Sequence, residues 1–218
     1  MSTCNTTQNE AGGKHLLLKA CKLATVATAV GTTFTSAAHG LRVGDIVKPV
    51  EIGANTTFNT TTFYYVQSVP TANTFTMSAT RGGAPIAGDA VEASLDFDLF
   101  VAVGGLRSKS ISMSSEGIDI TSEDSDEWKV MLDGAGIRSM EISGSGVYNS
   151  STVLDSLKTK FLANTLTCLM FVEVKTGKLY EGCFKLTSLE ISGDYDAESS
   201  FSIAASSSGA ITTATIAA

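Results

Sequence analysis

From residue 99 onward the chain alternates apolar and polar side chains over long runs, and that period of two is what most constrains its fold. Successive side chains of a strand point to opposite faces, so an alternating run buries one face and wets the other. In Lys109–Thr121 the residues Ile111, Met113, Ile118 and Ile120 fall at period two in two registers, interrupted at Ser114–Gly117. An interruption of that kind predicts a bulge around Gly117. Met140, Ile142 and Gly144 alternate with Ser139, Glu141 and Ser143. Leu166–Val174 is nearly all apolar, the pattern of a strand covered on both faces. Lys175-Thr176-Gly177-Lys178 predicts a turn into a partner strand over Leu179–Ser192. Gly193-Asp194-Tyr195-Asp196 predicts another turn, leading into Ser199–Ala205. The expectation is antiparallel β.

One segment breaks the pattern. Between Ser150 and Asn164, Val153, Leu154, Leu157, Phe161 and Leu162 recur at steps of three and four, which predicts a helix with one apolar face covering a sheet. Ser150, Ser151 or Thr152 can accept from the unpaired amides at its start, and Asp155 suits the positive end of its dipole. Lys158 and Lys160 are expected in solvent near the other end.

Residues 21–98 are a different material, rich in Thr and Ala, sparse in charge and punctuated by Gly. Short β runs at Leu23–Thr35, Ile46–Ile52, Phe63–Val69 and Thr74–Ala79, with a tight connection at Thr71-Ala72-Asn73, predict a small barrel or sandwich. Its ends, Lys19–Lys22 and Asp96–Val101, have the character of main-domain strands, so the stretch reads as a domain inserted into a hairpin loop. The expected division is therefore a main domain of residues 1–20 and 99–218 and an inserted small all-β domain of residues 21–98. Ser206–Ala218 carries no charge and suits either an arm lying on a neighbouring subunit or a frayed end.

The composition excludes several functions. With 43% hydrophobic and 17% charged residues and three prolines the chain can bury a core. No run approaches the roughly 18 apolar residues that span a bilayer, and Met1–Gly13 lacks the pattern of a signal peptide. The reading is a soluble protein made in a cytoplasm, with no membrane partner. A formal charge of −7, of which residues 99–218 carry −6, argues against holding a phosphate backbone. Cys4, Cys21, Cys168 and Cys183 form no CxxC pair, so free thiols are expected, with Cys168 and Cys183 as small core residues, and no metal is expected. His15 and His39 lack a nucleophile setting, and neither HExxH nor GxxxxGK[ST] occurs, so neither an enzyme nor a cofactor site is expected. Gly144-Ser145-Gly146 lies inside an alternating strand, where glycines mark close packing or a bulge more often than a phosphate loop.

The acidic run Glu123, Asp124, Asp126 and Glu127, closed by Trp128, lacks the spacing of a calcium loop. It reads as a solvated loop or as a subunit contact anchored by the single tryptophan. From Lys109 to Tyr148 the chain gives a strand, this loop with Leu132-Asp133-Gly134-Ala135-Gly136, and a strand containing Ile142-Ser143-Gly144-Ser145-Gly146. A helix and a strand pair ending at Glu198–Gly209 follow, and Lys14–Ala20 supplies a first strand. Over residues 10–20 and 99–218 this order resembles the major tail proteins of siphoviruses and gene transfer agents. His39–Asp45 (HGLRVGD), followed by Phe63–Ala79, resembles a small β-barrel module appended to phage virion proteins, similar to the FCCH domain.

The resemblance implies a mainly β tail-tube fold, a β-sandwich or barrel with one flanking helix. It implies a structural virion protein whose homohexameric rings stack into a tube, assembled in the host bacterial cytoplasm. The implied partners are the tape measure, terminator and baseplate proteins, and viral DNA passing through the lumen without specific binding. The loop would grip the adjacent ring through Trp128, Val130, Met131 and Leu132. Glu116, Asp119 and Glu141 are candidate lumen acids, since a negative lining repels phosphate. The alternative is a virion surface or baseplate module that contacts host glycans through the inserted domain, with Phe58, Phe63, Tyr64 and Tyr65 as exposed candidates.

Overall fold

The structure, a computed structural model, describes residues 16–28, 31–52, 57–88, 94–123, 125, 128–148, 151–193 and 198–215. The first strands are β1 (Leu16–Thr28), β2 (Phe34–Thr35), β3 (Ile46–Glu51), β4 (Tyr64–Thr71), β5 (Thr74–Ser78) and β6 (Ser94–Ala102). Then come β7 (Leu106–Ser115), β8 (Arg138–Val147), the helix α1 (Thr152–Leu162), β9 (Thr167–Glu173), β10 (Lys178–Ser192), β11 (Ser200–Ser207) and β12 (Thr212–Thr215). The fold is mainly β with one helix among the described residues, and every strand pairing is antiparallel. Two compact units result: Met1–Gly104 with Cys168–Glu181 and Thr212–Ala218, and Gly105–Thr167 with Gly182–Ile211.

In the first unit the pairings close a cycle: β1 to β2, β2 to β5, β5 to β4, β4 to β3, β3 to β6, and β6 back to β1. A closed cycle leaves no strand edge for adventitious pairing. Inside it Phe34, Phe58, Tyr64, Phe75 and Phe97 are buried. Phe58 lies edge-on to Phe34, Tyr64 and Phe97 at centroid distances of 5.8, 5.3 and 5.6 Å.

The other half of β1 continues past the cycle, where Leu16–Ala20 pair with Leu169–Glu173 of β9. Leu169–Val172 are all buried, as an unbroken apolar strand requires. Gly177, at φ 68°, makes the turn from β9 into β10, and its amide donates to the Glu173 carbonyl. Thr212–Thr215 pair with Lys178–Glu181 of the same chain. Residues 212–215 of the stretch expected as an arm or frayed end are therefore a strand on their own β10.

The HGLRVGD sequence now has a physical account. Gly40 and Gly44 take φ of 71° and 85°, and the Asp45 carboxylate accepts from the Arg42 amide at 2.7 Å. That turn aims the other Asp45 oxygen at Lys19 Nζ, 2.7 Å away, in a pair whose side chains are only 2% and 9% exposed. His39 Nδ1 accepts from the Leu41 amide, and its ring stands edge-on to Phe75.

In the second unit the strand order is β10-β11-β8-β7. The expected bulge at Gly117 is instead the end of β7 at Ser115, and the register shift lies between Leu106 and Ser108. The cause is the pair of strand glycines opposite. A Cβ on Gly146 would overlap the Gly105 carbonyl oxygen, and one on Gly144 would sit 2.8 Å from Leu106 Cδ2. Helix α1 starts on Ser151, whose hydroxyl accepts from the Leu154 amide. Leu154 and Leu157 are buried, but Phe161 and Leu162 of the expected apolar face are exposed. Only the first two turns lie over the core. Lys158 donates to the Tyr148 hydroxyl at 2.8 Å, so it is held rather than free in solvent.

Removing one member of a buried ion pair leaves the other charge unpaired. Asp45→Ala is expected to cost about 3–5 kcal/mol, measured as a lowered urea midpoint with an unchanged slope. A loss below about 1 kcal/mol would show that Lys19 finds water or another acceptor.

Candidate functional site

Beyond β7 the chain runs out and back as a hydrogen-bonded arm. Glu116 N donates to Ile137 O at 2.8 Å, Leu132 N to Ile118 O at 2.9 Å and Ile120 N to Val130 O at 3.0 Å, with Asp119 bridged to Met131. Gly136, at φ 106°, is required because a Cβ would overlap the Glu116 carbonyl. The tip is fastened by Thr121. Its amide and hydroxyl donate to Asp119 Oδ1, and its Oγ1 accepts from the Val130 amide at 3.0 Å. Trp128 N donates to Ser125 O, and Ser125 N to Ser122 O.

This arm presents apolar side chains to solvent. Trp128 is 79% exposed, and Val130, Met131 and Leu132 are exposed with it. Sequence reasoning missed Ile118, Ile120 and Ile137, which are also exposed on the paired arms. Ile118 and Ile120 had been assigned to a continuing strand; the signal that they lie elsewhere was the change of register at Ser114–Gly117. Exposed apolar residues concentrated on one ordered projection mark a surface that docks. Glu123 is exposed on the same loop, whereas Asp124, Asp126 and Glu127 lie outside the described residues.

The three candidate lumen acids separate. Glu141 stands on β8, exposed. Glu116 and Asp119 do not project from a barrel strand, because β7 ends before them and both belong to the arm. Around Glu141 the register places hydroxyls on one face of the four strands: Ser110 opposite Ser143, Ser112 opposite Glu141, Ser114 opposite Ser139, and Ser202 between Ser145 and Glu190. Ser110–Ser143 and Ser114–Ser139 bond across strands at 2.7 Å, and Ser192–Ser200 at 2.8 Å. The opposite face carries the buried Met140, Ile142, Phe201 and Ile203. Strand β7 pairs with β8 on one side and closes the order. A groove of about 810 Å³ beside its end is lined by Met113, Ile137, Met140 and Ile211 among others.

Other candidates resolve plainly. Phe58, Tyr64 and Tyr65 are buried, and Phe63 is half-buried beneath the Lys48 ammonium, so these aromatics are core and not a stacking platform for sugar. Cys183 is exposed, a correction to its expected place in the core: alternation along β10 gives Phe184 the inward position and Cys183 the outward one. Cys21 and Cys168 are half-buried. The Cys168 thiol beside Cys21, together with burial and Asp98, pushes the Cys21 thiol far up.

The second unit thus combines an antiparallel sheet, with one hydroxyl face and one apolar face, and an exposed apolar arm. The chain matches the family model described as phage tail tube protein over residues 90–213, more than half its length, and it belongs to that family. Several solved structures are similar to it, two of them particles or tails of gene transfer agents. One, described as the virion of a native gene transfer agent particle, is 31% identical with a TM-score of 0.50, covering 53% of this chain and 88% of that one. The other, the tail of an empty GTA particle refined with C6 symmetry, is 32% identical with a TM-score of 0.49, covering 52% and 84%. No curated protein matches the chain.

Hydrogen bonds from Thr121, with Lys129 3.7 Å away, hold the Asp119 carboxyl below the usual carboxylate range. A depressed folded value means that the arm's support is present above the unfolded carboxylate pKa and is lost as pH falls through the lowered value. The protection of the Thr121 and Val130 amides, their exchange rates taken relative to the intrinsic rate at each pH, is expected to fall on acidification over that window. In Asp119→Asn that protection should be low and flat with pH.

Proposed function

We propose that six copies of this chain close into a ring and that rings stack through the arm to make the tail tube of the virion, the conduit for the genome. One observation carries the reading: β7, ten residues long, pairs only with β8 among the described residues and runs directly into an arm studded with exposed apolar residues. A long strand of that kind invites another chain to pair with it, and closing a ring satisfies it without open-ended aggregation. The arm then reaches the neighbouring ring, with Trp128, Val130, Met131, Leu132 and the added Ile118, Ile120 and Ile137 as its grip. The hydroxyl face bearing Glu141 and Glu190 is the lumen surface. It is polar enough to stay wet, and its acids give phosphate nothing to bind. Other tail proteins such as the tape measure, terminator and baseplate meet the tube's ends, and assembly takes place in the host cytoplasm.

Residues 21–98 form an insertion carried on the outer parts of β1 and β6, and the FCCH-like reading of it stands with this proposal. Removing Ala24–Leu95, with the newly uncovered Phe97 and Leu99 changed to Thr, should leave tube assembly intact. Loss of assembly would make the insertion structural.

Electron microscopy of the purified protein tests the whole reading: hollow tubes of stacked rings are expected, and a protein that stays monomeric at high concentration would refute it. In Trp128→Ala, rings should still close while tube length falls several-fold. Tubes of undiminished length would remove Trp128 from the stacking contact.

A further inference from the structure

Three neighbouring strands of the first unit bring soft and hard metal donors to one point. The register that pairs Ala20 with Leu169 sets Cys21 of β1 directly opposite Cys168 of β9 at the next step. On the other side of β1, the register that pairs Leu23 with Asp98 places the β6 carboxylate diagonally across from Cys21. The two sulfur atoms and an Asp98 oxygen all lie within 4.8 Å of one another, with all three residues half-buried. Cys21 Sγ is 2.8 Å from Asp98 Oδ1. Among the described residues Asp98 has no ion-pair partner: Lys48, directly opposite it on β3, turns its ammonium to Glu181 at 2.7 Å.

We propose that Cys21, Cys168 and Asp98 form a binding site for a thiolate-preferring divalent cation, zinc by its chemistry. Two thiolates and a carboxylate suit tetrahedral Zn²⁺, and three protein ligands leave the fourth position to water. Binding releases the two thiol protons to solvent and replaces the Cys21–Asp98 hydrogen bond by a cluster of two thiolates, one carboxylate and the cation, whose +2 charge offsets most of the ligands' −3. The cation would clamp β6, β1 and β9 together. Residues 21 and 98 are the first and last of the stretch that composition sets apart, so the clamp sits at the root of that segment. The ligands are 70 or more residues apart in sequence except through the sheet register, which is why no spacing motif announces them.

The test uses the full chain, reduced and freed of metal, titrated with Co²⁺ and then Zn²⁺. One equivalent of Co²⁺ should bring up thiolate-to-metal charge-transfer absorption together with intense tetrahedral ligand-field bands, and Zn²⁺ should displace both. Zn²⁺ should also raise the unfolding midpoint. Cys21→Ser and Cys168→Ser should lose the charge-transfer absorption, Asp98→Asn should weaken Co²⁺ binding at least about tenfold, and the exposed-thiol control Cys183→Ser should behave as the parent. The proposal is overturned if reduced protein gives no charge-transfer absorption, if the absorption survives Cys168→Ser, or if it disappears with Cys183→Ser. Because Cys168→Ser and Asp98→Asn change few atoms, their metal-free unfolding midpoints separate loss of a ligand from loss of the fold.

Discussion

The first unit depends on β1 being hydrogen-bonded on both sides. Its amides and carbonyls pair with β6 from Lys19 to Ala27 and with β9 from Leu16 to Ala20. Backbone groups buried away from water must be paired, so a strand this long is stable only where partners flank it. Its inner end meets β9, and its outer end closes the six-strand cycle. At the overlap of the two ladders sit Lys19, held by Asp45 of the glycine-flanked turn, and Cys21, facing Cys168 and Asp98. The ion pair fixes the turn before β3 to the strand on which everything else in that unit is registered. Breaking a buried pair of this kind costs more than the pair itself contributes, because the remaining charge is left unpaired.

The second unit meets the same requirement differently. Its strand order stops at β7, and the sheet divides its faces between apolar and hydroxyl side chains. The cross-strand serine bonds keep the polar face internally paired, so it can be exposed without being sticky. The apolar residues that remain outside are gathered on the arm, where backbone hydrogen bonds and the Asp119–Thr121 contacts give them a defined presentation. In the proposed tube that separation supplies a passive wall and an adhesive projection on one subunit.

Much of this was legible in the sequence, and the misses share a cause. Alternation located the strand around Met140, an unbroken apolar run the strand around Leu169, a turn signal its partner around Leu179, and the three-and-four spacing α1, because those patterns are local. Which partner a strand meets, and where a covered surface ends, is not local. Phe161 and Leu162 fit the helix periodicity but lie past the part that is buried. Cys183 fits a strand but falls on its outer face. Glu116 and Asp119 lie beyond the last pair of β7, where the alternation breaks and changes register.

The sequence by itself determined the antiparallel β character, the capped helix and the glycines at close approaches, since each follows from side-chain period or residue chemistry. Only the tertiary structure decided the closed six-strand cycle, the return of residues 212–215 onto β10, the burial of the aromatics at 58, 64 and 65, and the meeting of Cys21 with Asp98 and Cys168. Those depend on ladder register. A shift of one residue turns every side chain to the other face, and no local pattern encodes which distant strand supplies the partner.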